Sequence, residues 1–510
     1  MTSPELTPRV VIIGAGFSGL CLAIHLKKAG IHSFTIIEKA DGFGGTWRDN
    51  SYPGAACDVP SFSYCFSFEQ KTDWSRKWSP QAEILAYMDH CADKYGVRPH
   101  VRFGTEVARA RFDERAGHWL VDTTAGETLE ADFVVSGVGQ LNQPAFPDVP
   151  GRENFRGVSF HSARWDHRYD LTRKTVAVIG NAASAIQFIP QIAPRVARLY
   201  VFQRTPNWMI ERGDRAYTEN EKRRFTRHRW LTRLYRWYIW AAYESRFPVF
   251  RGNKFFADRL RKECERYMTE QVKDPALRKA LTPDYPVGAK RLLISDDYFQ
   301  AITRPNVELI TEPIERLTEH TIVTRDGKSR RIEAVIFATG FRTTQFLVPM
   351  EIEGRGGVTL NETWRDGAEA YLGISVAGFP NFFMMYGPNT NLGHNSIIFM
   401  IECQTAYIMD CIRKVRAAGA KWADLRPDVQ SAYNEHLQRD LARTVWTQVS
   451  KSWYKNEAGR VTNNWSSSTA AYWWRTRRVD LSRYELALRN AAEGATESGD
   501  VAREQTRTAA

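Results

Sequence analysis

An apolar burst that ends in glycine and runs straight into a stretch with helical spacing occurs twice in this chain. The first copy is Arg9-Val-Val-Ile-Ile-Gly14, with apolar positions at helical spacing from Phe17 to Lys28 and a second strand, Phe34-Thr-Ile-Ile-Glu38. The second is Thr175-Val-Ala-Val-Ile-Gly180, with a helix over 184–192 and a strand over 199–203. Strand, glycine turn and helix in that order form the dinucleotide-binding unit. The pattern therefore predicts an α/β fold with two doubly wound, Rossmann-like nucleotide-binding domains.

The two turns differ in what they offer a ligand. Gly14-Ala-Gly16-Phe17-Ser-Gly19 has glycines where the turn is tight and where a pyrophosphate must approach the helix N-terminus, whose free amides and dipole favour anions. Glu38 closes the next strand, where a carboxylate accepts hydrogen bonds from a ribose diol, so this unit suits FAD or NAD alike. Gly180-Asn-Ala182-Ala-Ser184-Ala185 carries alanine at the second and third glycine positions, which brings a methyl group close to the phosphates. Its strand ends in Gln203-Arg204-Thr205 rather than an acid. A guanidinium there pairs with a 2′-phosphate, which predicts NADPH.

At 510 residues, two or three packed units are expected. Seven cysteines (Cys21, Cys57, Cys65, Cys91, Cys264, Cys403, Cys411) without C-x-x-C spacing argue against a disulfide framework, a zinc site or a dithiol pair. The first nine residues lack the basic start and apolar run of a signal peptide, so a cytoplasmic location is expected. The net charge of +12 is diffuse except over 223–236, where six arginines interleave with Phe225, Trp230 and Tyr235. Trp230, Leu234, Trp237 and Ala241 share a helical face there, a spacing that suits core packing and membrane contact equally; nucleic-acid binding is the weaker reading.

Between the two nucleotide units stands Phe155-Arg-Gly157-Val-Ser-Phe-His161-Ser-Ala-Arg-Trp165-Asp166. It resembles the F-x-G-x-x-x-H-x-x-x-W-D fingerprint of type I Baeyer–Villiger monooxygenases, and the resemblance spans roughly residues 8–480. It implies FAD in the first unit and NADPH in the second, with O2 as co-substrate. The implied cycle runs through a flavin peroxide that attacks a ketone and gives an ester or lactone. Gly45, Thr46 and Trp47 match its flavin-wrapping segment, as does the Tyr52–Pro60 stretch with Asp58; Tyr64, Val107, Gln140 and Asn389 are placed at the flavin by the same resemblance. Lys290 would join Arg204 at the 2′-phosphate.

The resemblance further implies Arg291 as the cation that stabilises the reacting oxygen anion, with Asp58 holding it. Gly157, His161 and Trp165 would couple the two units, and His161 alone reads as a structural histidine. The implied division is 1–150 for FAD, 151–214 and 281–332 for NADPH, a helical insertion over 215–280, the rest of the FAD domain with substrate-site segments over 333–488, and a tail over 489–510. Ala338-Thr-Gly340-Phe341 is taken with that second FAD part. Oxygenation of sulfur or nitrogen by a related flavoprotein class is the rival chemistry, though its fingerprint lacks the terminal Trp165-Asp166. A basic flavoprotein bound at a membrane surface is a more distant one.

Overall fold

The computed structural model describes residues 7–450 and 452–489. Its first half runs β1 (Val10–Ile13), α1 (Phe17–Lys28), β2 (Phe34–Ile37), β3 (Val101–Arg102), β4 (Phe133–Ser136), β5 (Val158–His161), β6 (Thr175–Ile179), α2 (Ala185–Ile192) and β7 (Arg198–Phe202). Helices α3 (Glu219–Arg227), α4 (Arg229–Glu244), α5 (Phe247–Phe250), α6 (Lys254–Gln271) and α7 (Pro275–Leu281) follow. The chain then returns through β8 (Val307–Ile310), β9 (Ala334–Phe337), β10 (Phe382–Met384), α8 (Ile397–Ala417) and α9 (Thr469–Thr476).

Two five-stranded sheets result, in the orders β10-β4-β1-β2-β3 and β8-β7-β6-β9-β5, and all their pairings are parallel. Parallel strands need both faces covered, which is why β1 and β4 are buried at every position. Helix α1 lies on the first sheet and packs with α8, so its sequence is apolar almost all round. The second sheet is covered by α2, whose Ile186, Phe188, Ile189 and Ile192 join the strand residues in a separate core.

One boundary of the sequence reading is corrected. The strand after Glu333 was expected to rejoin the first unit, but β9 pairs in register with β6 and β5, so the second sheet extends through Phe337. The first sheet regains a strand only at β10. Gly157 permits that pairing, since a Cβ there would lie 2.4 Å from the Glu333 carbonyl where β5 and the entry to β9 close against each other. The segment 219–281 is helical throughout its elements, as its composition predicts. Of the two readings open for the shared face of α4, core packing is not met, because Trp230, Leu234 and Trp237 are exposed. The expected tail over 489–510 lies, beyond Arg489, outside the described residues.

Candidate functional site

A cavity of about 1080 Å³ opens at the carboxyl ends of both sheets and is walled by both glycine turns, the place where parallel sheets receive ligands. Gly14 turns with φ of 102°, a conformation side chains rarely adopt. A Cβ on Gly16 would stand in the cavity itself, its nearest neighbour being the Gly45 Cα at 3.9 Å. Gly19 lies off the cavity wall and serves packing, since a Cβ there would meet the Gly14 carbonyl at 2.0 Å. Helix α1 has no acidic residue in its first turn and no side-chain cap, which leaves its terminal amides for an anion.

Glu38 is buried on that wall with its carboxylate fixed by two backbone amides, Ala15 at 2.7 Å and Ala40 at 2.8 Å. Farther in, Phe17, Trp47 and Tyr64 form an aromatic corner: Tyr64 stands edge-on to both other rings at 5.5 Å, and the Trp47 indole donates to the Tyr64 hydroxyl. Thr46 and Val107 line the same wall. Gln140 lines the cavity and its amide donates to the Tyr386 and Gly387 carbonyls, while its Oε1 is buried without a partner. An orphaned acceptor and a cradle that one methyl would fill fit a bound nucleotide cofactor such as FAD.

On the second sheet, Gly180 packs so closely that a Cβ would meet the Ala338 carbonyl at 2.3 Å. The Ala182 methyl is exposed at the cavity, and Ser184 lines it too, whereas Ala185 is buried under the helix. Asn181 ties the turn to the strand end, donating to Gln203 Oε1 and the Thr205 carbonyl. Arg204, Thr205 and Lys290 share this wall. Desolvation and then the charge of Arg204 pull the Lys290 ammonium below its ordinary value. Among the described residues neither cation is in an ion pair, and the Lys290 ammonium lies 4.6 Å over the Tyr285 ring.

Between the two walls stands the pair separated by 233 positions: Arg291 donates to Asp58 Oδ2 from Nε at 3.0 Å and from its terminal nitrogen as well. About a third of each side chain faces the cavity. The Asp58 charge raises the already high Arg291 value further, so the guanidinium is a permanent cation with one donor edge fixed. Asp58 is in turn steadied by its neighbours, for Cys57 donates its amide to the Ser79 carbonyl and Arg212 donates to the Cys57 carbonyl.

Asn389 is a correction. Its φ of 57° turns it away from the cavity wall, and its amide donates to the Val461 and Asn464 carbonyls. Asn391 and Asn395 line the cavity instead, Asn391 accepting from the Tyr386 hydroxyl at 2.7 Å. Gly157, His161 and Trp165 stay off the wall. His161 is buried between the Phe146 and Phe341 rings, and its Nδ1 accepts from the Ala163 amide. Burial lowers its value to about 4. Trp165 packs between Phe160 and Phe188 in the second core. Gln187, which no sequence motif singles out, makes a further link between the units beside Arg291–Asp58: it accepts from Tyr52 and donates to the Ala56 carbonyl. A glutamine on an otherwise apolar helix one turn after the glycine loop was the available signal.

The profile of the pyridine nucleotide-disulphide oxidoreductase family matches residues 11–224. A Baeyer-Villiger monooxygenase of Streptomyces coelicolor is 44% identical over 483 residues, 94% of this chain and 92% of that protein. Among solved structures, an oxidised steroid monooxygenase bound to NADP superposes with a TM-score of 0.85 at 32% identity, covering 94% of this chain and 100% of the other. The OTEMO complex with FAD and NADP does so with a TM-score of 0.85 at 28% identity, covering 94% and 99%.

Proposed function

This chain belongs to the Baeyer–Villiger monooxygenases, and from that membership we propose that the Arg291–Asp58 pair is the catalytic centre of its oxygen insertion. The enzyme is a FAD- and NADPH-dependent oxidoreductase. When bound, FAD reduced by NADPH activates O2, so that one oxygen atom enters beside a ketone carbonyl to give an ester or lactone and the other leaves as water. Oxygenation of sulfur or nitrogen gives way to this chemistry. Disulfide reduction has no support in the thiols, since all seven cysteines are free and buried.

The protein's own residues divide the work. Gly14, Gly16 and the first amides of α1 would hold the FAD pyrophosphate, and Glu38 its ribose diol, its carboxylate already oriented by Ala15 and Ala40. Arg204 and Lys290 would hold the 2′-phosphate that separates NADPH from NADH. Phe17, Trp47 and Tyr64 exclude water from one end of the cavity. Arg291 supplies a charge that needs no reorganisation when negative charge develops on the reacting oxygen atoms, because Asp58 fixes its direction beforehand. A small-molecule ketone is the proposed substrate, received between this pair and the Asn391–Asn395 wall.

The observation that carries the reading is a fixed, permanently charged guanidinium on the wall of a cavity shared by both glycine turns. Arg291→Ala is the test. The variant is expected to bind flavin with an unchanged absorbance spectrum and to oxidise NADPH, while ester formation falls a hundredfold or more. Ester formation at the parent rate would remove Arg291 from the mechanism.

A further inference from the structure

We propose that α4 and α9 together form a docking face for an anionic lipid bilayer. On α4, Trp230, Leu234, Trp237 and Tyr238 are between 55% and 64% exposed, at the i, i+4, i+7, i+8 spacing of a single stripe. On α9, Trp473 and Trp474 are 50% and 60% exposed. The two helices are joined: Trp240 donates its indole N–H to the Thr469 hydroxyl at 3.0 Å, and Glu244 accepts from the Thr469 amide at 2.7 Å. Large apolar side chains left outside the core in neighbouring positions mark a contact surface rather than scattered exposure.

Charge identifies the partner. Residues 222–238 contain six arginines and a lysine and no carboxylate, and residues 469–479 contain three arginines and no carboxylate. Arg229 and Arg233 are exposed along one edge of the α4 stripe, and Arg475, Arg477 and Arg478 are exposed at the end of α9. Tryptophan and tyrosine with an apolar body and a polar tip, bordered by arginine, match the boundary between lipid headgroups and acyl chains. A leucine and a continuous apolar stripe favour that boundary over the polar surface of a nucleic acid. The contact is superficial, for among the described residues no helix is long and apolar enough to cross a membrane.

The face also lies behind the cavity. Trp240 stacks on Phe399 of α8, and Asn395 donates to the Trp240 carbonyl and to Glu244, while Asn395, Ile397 and Ile398 line the cavity itself. A lipophilic substrate dissolved in a bilayer would thus be concentrated next to the wall that receives it. This surface is independent of the roles proposed for Arg291 and Asp58.

Flotation of the FAD-loaded enzyme with vesicles of phosphatidylcholine alone, or of phosphatidylcholine with phosphatidylserine, tests the assignment. The enzyme is expected to float with the anionic vesicles in low salt and to be released by high salt. Arg229→Gln and Arg233→Gln should each weaken partitioning about fivefold. Trp230→Ser with Trp237→Ser should reduce it at low salt, with flavin absorbance and turnover of a water-soluble ketone unchanged. Three results overturn the proposal: no flotation of the folded parent enzyme with anionic vesicles, flotation that the tryptophan and arginine variants leave unaltered, or self-association or nucleic-acid retention that Trp237→Ser abolishes where vesicles do not bind.

Discussion

The Tyr52 hydroxyl donates to Gln187 Oε1 at 2.9 Å, and through that bond the flavin-side segment 52–56 is fastened to the helix that opens the second nucleotide site. Gly54 completes the joint, because a Cβ there would lie 2.6 Å from the Gln187 carbonyl. Gln187→Leu removes the donor to the Ala56 carbonyl and leaves the Tyr52 hydroxyl with Ser184 alone in a largely buried joint. A loss of roughly 1–3 kcal/mol in unfolding free energy is expected by denaturant titration. Because the joint spans both sites, the NADPH KM should rise as well, and an unchanged KM would confine Gln187 to stability.

Asp58→Asn keeps an acceptor for Arg291 while removing the charge that fixes it. The prediction is full flavin content with ester formation reduced on the order of tenfold to a hundredfold, less than in Arg291→Ala. Product analysis by gas chromatography, normalised to bound flavin, checks the order.

Removing either cation at the second site should erode coenzyme choice. Arg204→Ala and Lys290→Ala are each expected to lower the ratio of kcat/KM for NADPH over NADH by roughly tenfold to a hundredfold, the range of one charge-assisted bond. The kinetics with NADH should stay nearly constant, since NADH lacks the 2′-phosphate that these two cations would contact.

Ala182→Gly removes the methyl that projects at the second turn. The NADPH KM should fall, at a stability cost of roughly 0.5–1 kcal/mol from the freer backbone. Steady-state kinetics and thermal melting separate the two effects, and a KM unchanged by the substitution would show that the methyl does not crowd the coenzyme.

His161 carries a pH dependence. Burial depresses its value from 6.5 to about 4, so it is neutral in the folded chain at neutral pH and the unfolded chain binds the proton first. The stability this contributes is complete above pH 6.5 and is lost as pH falls from there toward 4, by roughly 3 kcal/mol at the lower end. Urea midpoints of His161→Gln should vary less than those of the parent across that window. Equal slopes would place the acid sensitivity elsewhere.

Local pattern carried much of this protein. The two glycine turns, their strands and the acid at Glu38 are contiguous signals, because a parallel strand buried on both faces must be apolar throughout and a turn against a phosphate must be glycine-rich. The helical stretch over 219–281 was legible for the same reason. The strand at 334–337 was not, since one buried strand resembles another and only the pairing partner decides which sheet it joins. Asn389 and Asn391 are likewise equivalent as letters, and both bond to the 461–464 segment in the fold, but only Asn391 also reaches the cavity wall.

Residue order alone was enough for two nucleotide-binding units and for an arginine rather than an acid at the second strand end. That Arg291 and Asp58, 233 positions apart, share one wall, that Gln187 links the units, and that the α4 stripe faces outward came from the packed fold. The physical reason is range. Propensity, turn chemistry and hydrophobic period act over a few residues, whereas ion pairing and burial depend on which distant segments the packed sheets bring together.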